Sequence, residues 1–269
     1  MKIKGYSHIG KKKANEDSIL SAENCLIVCD GVGGAVKGEL ASKQTASYIS
    51  TYLEKKEINE DRIFKAIMES QDYLNDLVEN EPDLDGMATT LAACFFTIKN
   101  ELFVAHMGDS RVYIIRPSKK TFWHTWDHSF VSSLVKSGEI TREVARRHPM
   151  NNQITKAIKG SLNRKTREPD IQFINDLEVG DILFICSDGI SDAFSDYELL
   201  NILSFTGNSI KDKLKFIEER CSQESYDNNS AIICQLEEQD IPMYPKNLLS
   251  WQEIDSLIDV DDLDEVNIE

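Results

Sequence analysis

Cys25-Leu26-Ile27-Val28-Cys29-Asp30-Gly31-Val32-Gly33-Gly34 is a short apolar run that stops at an acid and a glycine-rich turn. A compact run of this kind, bounded by turn residues, predicts a buried strand that delivers Asp30 at its end. The glycines let the backbone turn sharply, so a main-chain carbonyl can face the same cation as the carboxylate. Asp181-Ile182-Leu183-Phe184-Ile185-Cys186-Ser187-Asp188-Gly189 repeats the pattern. Two strands are therefore expected to present aspartates alike.

Working outward, strands are expected over residues 2–9 and 17–22 before this run. Leu40, Ala41, Thr45, Tyr48, Ile49 and Tyr52, then Ile63, Ile67, Leu74 and Leu77, recur at helical spacing after it. Segments 89–98, 101–106 and 111–116, joined by Lys99-Asn100 and Gly108-Asp109, predict three consecutive antiparallel strands in a meander. Short helices are expected around Phe130, Leu134 and Val135 and over 141–147, followed by a polar stretch to Gly160 that suits a surface flap. Leu199, Leu200 and Leu203 mark another helix, and Ser209-x-x-Asp212 resembles a capping box ahead of Ile210, Leu214, Ile217 and Cys221. A last strand is expected over 230–236. Runs of strands broken by paired helices favour an α+β sandwich of antiparallel sheets with helices outside over a doubly wound parallel sheet.

The chain has 269 residues, 41% of them apolar, enough for one large core. Its formal charge of −16 argues against nucleic acid as the main partner, because phosphate backbones are bound by clustered Lys and Arg. No apolar stretch is long enough to span a bilayer, and residues 1–6 lack the core of a secretory signal, so no membrane association is expected. Cys25, Cys29, Cys94, Cys186, Cys221 and Cys234 lie in apolar runs without Cys-x-x-Cys spacing. They are expected to be buried reduced thiols, which points to a cytoplasmic location.

Five acidic patches lie beside turns or at the ends of apolar segments: Asn15-Glu16-Asp17, Asp30-Gly31, Gly108-Asp109-Ser110-Arg111, Ser187-Asp188-Gly189 and Asp227-Asn228. Each alone is an ordinary turn. Their recurrence in one domain shifts the balance toward a shared site, where carboxylates repel one another unless cations compensate them. An all-oxygen set without His or Cys suits magnesium, manganese or calcium better than zinc.

Taken in order with Ala88-Thr89-Thr90 and Asp127-His128, these motifs make residues 1–237 resemble the metal-dependent serine/threonine protein phosphatases of the PPM family, in the manner of its bacterial members. The resemblance implies a four-layer αββα sandwich, two central antiparallel β-sheets flanked by pairs of helices, with a binuclear Mn2+ or Mg2+ centre at one edge. It implies that Asp30 bridges both metals, that Gly31 offers its carbonyl, that Asp188 and Asp227 complete the first metal, and that Glu16 holds water on the second. Asp17 would stand behind these ligands, and Asp109 with Asp188 would match residues that bind a third, weaker metal. Asp30, Asp188, Asp227 and Lys12 are the residues expected to carry catalysis. The implied substrate is a phosphorylated protein, in signalling that pairs this chain with a Ser/Thr kinase.

Paired cations support direct attack of water on a phosphomonoester without a covalent intermediate. No cysteine is followed five residues later by arginine, so the cysteine-based phosphatase loop is absent. The histidines, His8, His106, His124, His128 and His148, are expected to be mostly structural or exposed. Two positions depart from the family pattern. Lys12, within Lys11-Lys12-Lys13, stands where members usually carry an arginine that grips phosphate, and a lysine keeps the charge but loses the bidentate fork. Val32 stands where some members have a histidine proposed as general acid, which leaves leaving-group protonation to water or substrate. A pseudophosphatase serving as a binding module is the alternative that the Lys12 departure keeps open; the complete set Asp30, Asp188 and Asp227 favours an enzyme. A two-metal nuclease is disfavoured by the negative charge and the motif order.

Residues 127–160 match the family's variable flap, whose bases Arg142, Arg146, Arg147 and Lys156 either offer charge to a phosphopeptide or, the reading favoured for some of them, form local ion pairs. The division expected is a catalytic domain over 1–238 and an acidic tail over 239–269, where nine acids face the single Lys246 and carry half of the net charge. Ser250-Trp251-Gln252-Glu253 resembles a capping box, with Trp251, Ile254, Leu257 and Ile258 on one helical face. Such a tail docks on a partner, folds back near the flap or stays a solvated disordered segment, and its composition favours the last.

Overall fold

The computed structural model describes residues 1–32, 37–151, 153–243 and 249–257. In chain order the elements are β1 (Lys2–His8), β2 (Asp17–Ser21), β3 (Cys25–Asp30), α1 (Gly38–Leu53), α2 (Glu60–Asn80), β4 (Ala88–Thr89), β5 (Leu91–Phe96), β6 (Leu102–Met107), β7 (Arg111–Arg116) and β8 (Thr121–His124). They continue through α3 (Phe130–Lys136), α4 (Arg142–Arg146), β9 (Ile158–Lys159), β10 (Asp170–Ile174), β11 (Ile182–Cys186), α5 (Ile190–Ala193), α6 (Asp196–Ser204), α7 (Ile210–Glu224), β12 (Asn229–Gln235) and β13 (Gln252–Glu253).

The strands form two antiparallel sheets. One runs β10-β6-β5-β3-β2 and the other β1-β12-β11-β7-β8-β13. The continuous apolar runs are explained by what lies on either side of them. Along β3, Cys25, Ile27 and Cys29 pack against α1 and α2, while Leu26 and Val28 fill the space between the sheets. Along β11, Ile182, Phe184 and Cys186 face α6 and α7, and Leu183 and Ile185 point to the inter-sheet core. Burial on both faces removes the usual alternation, and each such side chain stabilises the fold by roughly 1.5–3 kcal/mol. The result is the αββα sandwich expected.

Local chemistry starts the helices where the expectations placed them. Asn59 Oδ1 accepts from Arg62 N at 3.0 Å at the start of α2, and Ser209 Oγ accepts from Asp212 N at 3.3 Å at the start of α7. Ser195 and Glu198 form a reciprocal capping box on α6. All six cysteines are free and buried. No described helix is long and apolar enough to cross a membrane.

Two expectations are corrected. The three-strand meander does not form: β5 and β6 pair, but β7 crosses to the other sheet, between β11 and β8. The free edge of β6 is taken by β10. Gly108, at φ +104°, provides the turn that a β-branched or bulky residue would resist. The capped helix expected from Ser250 is also absent among the described residues. Gln252 and Glu253 instead pair with Phe122 and Thr121 of β8, and Ile254–Leu257 makes a 3-10 turn. The three-residue spacing of Trp251, Ile254 and Leu257 suits this strand-and-turn as well as it suits a helix. Trp251 packs beside the inter-sheet core and Ile254 is fully buried against the α6–α7 side. Ile258 and residues 259–269 lie outside the described residues.

Candidate metal centre

The metal and catalytic residues expected from the sequence arrive at one edge of the sandwich, around the ends of β2, β3, β6, β11 and β12. In the register of β2 against β3, Asp17 stands opposite Asp30. Thr90 clamps Asp30 from the neighbouring strand. The Asp30 amide donates to Thr90 Oγ1 at 3.0 Å, the Thr90 amide donates back to the Asp30 carbonyl at 2.8 Å, and Thr89 Oγ1 donates to the same carbonyl. Thr90 Oγ1 also bonds Ser110 Oγ at 2.7 Å. The turn that carries Asp109 is thereby tied to the strand that carries Asp30.

Glycines are required where segments close on one another. A Cβ on Gly31 would lie 2.5 Å from the Gly38 carbonyl carbon and 2.8 Å from Glu16 Cβ. Gly31, Glu16 and the first turn of α1 can meet only because that atom is missing. A Cβ on Gly189 would sit 2.1 Å from the Asn228 carbonyl oxygen, so the Asp188 turn rests directly on the Asp227-Asn228 segment.

Asn228 organises the rest. Its Oδ1 accepts from the Glu16 amide at 2.8 Å, and its Nδ2 donates to the carbonyls of Ile9 and Ala14 at 2.8 and 2.9 Å. The loop so held carries Lys12, whose Nζ lies 2.9 Å from Asp227 Oδ1. Ser187 Oγ donates to Asp17 Oδ2 at 2.8 Å and accepts from the Ser230 amide, which joins β2, β11 and β12.

The electrostatics follow from this crowding. Burial, then the charges of Asp188 and Asp17, push the Asp30 carboxyl well above the usual carboxylate range, and Asp188 lies within hydrogen-bonding reach of it. Burial and Asp188 do the same to Asp109. Burial lifts Asp17 to about 6 against the opposing donors Ser230 and Ser187. Burial and the charge of Glu39 raise Glu16. Lys12 is raised by its hydrogen bond to Asp227, with Glu16 and Asp188 adding attraction. These shifts are the signature of acids gathered without enough positive charge.

That environment tests whether divalent cations fit. Asp17 Oδ1 is buried without a hydrogen-bond partner, an arrangement that costs about 1–3 kcal/mol and that compensating charge would relieve. The converging donors are carboxylates and the Gly31 carbonyl, which match hard divalent cations. Residues Lys12, Glu16, Asp17, Asp30, Gly31, Asp109, Asp188 and Asp227 are all assembled here.

Some participants were not singled out from the sequence. Thr90, Ser187 and Asn228 lay in quoted motifs without a role, and their hydroxyl and amide bonds appear only once the strands are paired. Arg111, Asp127 and Asp196, likewise given no role from the sequence, form a further network with the flap base Arg142. Arg111 holds Asp127 with two bonds of 2.7 Å and meets Asp196 at 3.0 Å, which also takes Arg142 at 3.1 Å. Asp196 is the first residue of α6, eight positions after Asp188 but outside the quoted motifs. Of the histidines, His106 is buried with Nε2 on the Trp126 carbonyl, and His124 is buried with Nδ1 on the Thr125 carbonyl.

Comparison with known proteins agrees with the fold. The protein phosphatase 2C family model matches residues 4–236. The serine/threonine protein phosphatase PstP of Mycobacterium tuberculosis is 37% identical over 192 residues, 70% of this chain but 36% of its own length. The serine/threonine phosphatase stp of Listeria welshimeri is 31% identical over 217 residues, 77% of this chain and 82% of its own. A crystal structure of the PstP catalytic domain with two manganese ions superposes with a TM-score of 0.74 at 28% identity, covering 88% of this chain and 98% of that one. The chain belongs to the protein phosphatase 2C family.

Proposed function

We propose that this chain is a metal-dependent serine/threonine protein phosphatase that hydrolyses phosphomonoesters by direct attack of water. The observation that carries the reading is the convergence of Asp17, Asp30, Asp109 and Asp188 from four separate segments, where burial and the charge of Asp188 push the first three toward neutrality.

Asp30, the Gly31 carbonyl, Asp188, Asp227 and Glu16 would hold two Mn2+ or Mg2+ ions, and Asp109 with Asp188 a third. Bound there, the ions acidify water and neutralise charge on the phosphoryl oxygens. Asp17 fixes the geometry from behind through Ser187. Lys12 lies among Asp227, Glu16 and Asp188, so its ammonium stands beside the acids at the mouth, in position to meet a phosphoryl oxygen as a point charge rather than as a fork. Val32 carries no proton, so the leaving serine or threonine oxygen takes one from solvent. The complete oxygen set argues against a pseudophosphatase, which has no need to keep so many buried acids together.

The family relatives act on proteins carrying phosphoserine or phosphothreonine, and a phosphoprotein made by a Ser/Thr kinase is the substrate proposed here. Six buried free thiols and the missing membrane helix among the described residues support a cytoplasmic site of action. The acids of residues 258–269 remain available to a partner in this reading.

The test is turnover of a phosphothreonine peptide and of para-nitrophenyl phosphate, with and without manganese, beside Asp30→Asn. Activity should require the metal and fall by at least about 100-fold in the variant. Full turnover after chelation, or in Asp30→Asn, refutes the reading.

A further inference from the structure

Residues 249–257 lie beyond the segment the family model covers, yet they are built into the domain. Gln252 and Glu253 extend the second sheet at β8, and the Ile254 amide donates to the Lys120 carbonyl at 3.1 Å. The Trp251 indole N–H donates to Asp176 Oδ2 at 2.8 Å, and the Arg116 guanidinium lies 4.2 Å from that ring. The backbone of this strap is therefore anchored on both sides of Gln252.

Gln252 aims its side chain at the base of the flap. Its Oε1 accepts from Arg142 Nη2 at 3.4 Å, and Arg142 is the first residue of α4. The same nitrogen donates to His124 Nε2 at 3.1 Å, and His124 ends β8, the strand the strap pairs with. Arg142 Nη1 binds Asp196, and its guanidinium lies 5.1 Å from the Trp126 ring centroid. The far end of α4 is tied by Arg146 to the Ser191 carbonyl, three residues past Asp188. Through Asp196 and Arg111 the network reaches the strand that begins two residues after Asp109. The strap, the flap and the acidic edge are thus joined by one chain of charge-assisted hydrogen bonds, which are stronger than neutral ones.

We propose that Gln252 is a positioning residue for the flap: it holds Arg142, and through Arg142 the α4 surface that a phosphorylated peptide meets. The inference rests on the phosphatase reading above and deepens it. A peptide spans the acidic edge and the flap, whereas para-nitrophenyl phosphate is too small to reach α4. Loss of the Gln252 contact therefore weakens peptide binding and spares the small ester.

The experiment compares the full chain with Gln252→Ala and Gln252→Glu. In Gln252→Ala the KM for a phosphothreonine peptide should rise about 3- to 10-fold with kcat held, and kinetics on para-nitrophenyl phosphate should not change. Gln252→Glu keeps an acceptor oxygen and should restore the peptide KM. Hydrogen exchange at the amides of residues 143–147 should be faster in Gln252→Ala than in the parent. An unchanged peptide KM, or an equal rise for both substrates, overturns the proposal. If the parent protein turns over neither substrate, the phosphatase reading fails instead. Exchange alone then decides: faster flap exchange supports the positioning role and unchanged exchange overturns it.

Discussion

Asp17→Asn should make the metal-free protein more stable while it damages the site. Asp17 is 8% exposed and burial raises its carboxyl to about 6 from 3.8. Below about pH 4 it is protonated in both folded and unfolded chains and costs nothing. Between about pH 4 and 6 the folded chain holds the extra proton, so stability falls as pH rises, and above 6 the whole cost is present. A shift of about two units corresponds to roughly 3 kcal/mol. Asparagine removes that cost, keeps an oxygen for Ser187 Oγ, and offers an N–H to the crowded carboxylates. Chelator-treated Asp17→Asn should gain about 2–3 kcal/mol at pH 7.5, or about 4–12 °C in Tm for a domain of this size, and almost nothing at pH 4. Urea unfolding at the two pH values measures this. With saturating manganese the gain should shrink, because the cations already offset the parent's charge. Equal destabilisation of the variant at both pH values would show that the acids are not in conflict and would refute the reasoning.

Ile254→Ala should cost about 2–5 kcal/mol, the range for emptying a fully buried aliphatic site; a loss below about 1 kcal/mol in urea unfolding would mean the strap is not part of the core. Lys12→Arg should lower KM for both phosphopeptide and para-nitrophenyl phosphate about 3- to 10-fold, since a planar fork can hold two phosphoryl oxygens. Lys12→Ala should raise both by a similar factor. Steady-state kinetics on the two variants checks this, and a higher KM in Lys12→Arg would show that the lysine serves chiefly to hold Asp227.

Much of the centre was legible because its residues sit where apolar runs stop. Asp30 ends, and Asp188 closely follows, a strand buried on both faces, so the change from apolar run to acid and glycine marks strand, turn and ligand together. Less was legible where a segment's partner decides its structure. The strand Thr121–His124 is four residues long and the strand Asp170–Ile174 lies among polar residues, too little pattern to register without the neighbours they pair with. The crossing of Arg111–Arg116 to the second sheet depends on Gly108 packing against Thr90, which no spacing encodes. The strap was misassigned because residues three apart satisfy a helical face and a strand-plus-turn equally. Thr90, Asn228 and Asp196 act through bonds to residues about 60 to more than 200 positions away, or in Asp196's case through Arg111, 85 positions away.

The strand Asn229–Gln235 lies between Lys2–His8 and Ile182–Cys186, so the first strand of the chain gains its lattice of backbone bonds only when one of the last is laid beside it. Asp227 and Asn228 arrive with that late strand, and Asn228 is what ties down the loop bearing Lys12. A ribosome-bound fragment lacking residue 229 onward has no strand for Lys2–His8 to pair with, so its second sheet stays open and its acids ungathered. In the phosphatase reading proposed above, such fragments should neither capture manganese nor act on phosphorylated neighbours, and dephosphorylation would begin only once that strand is laid in place.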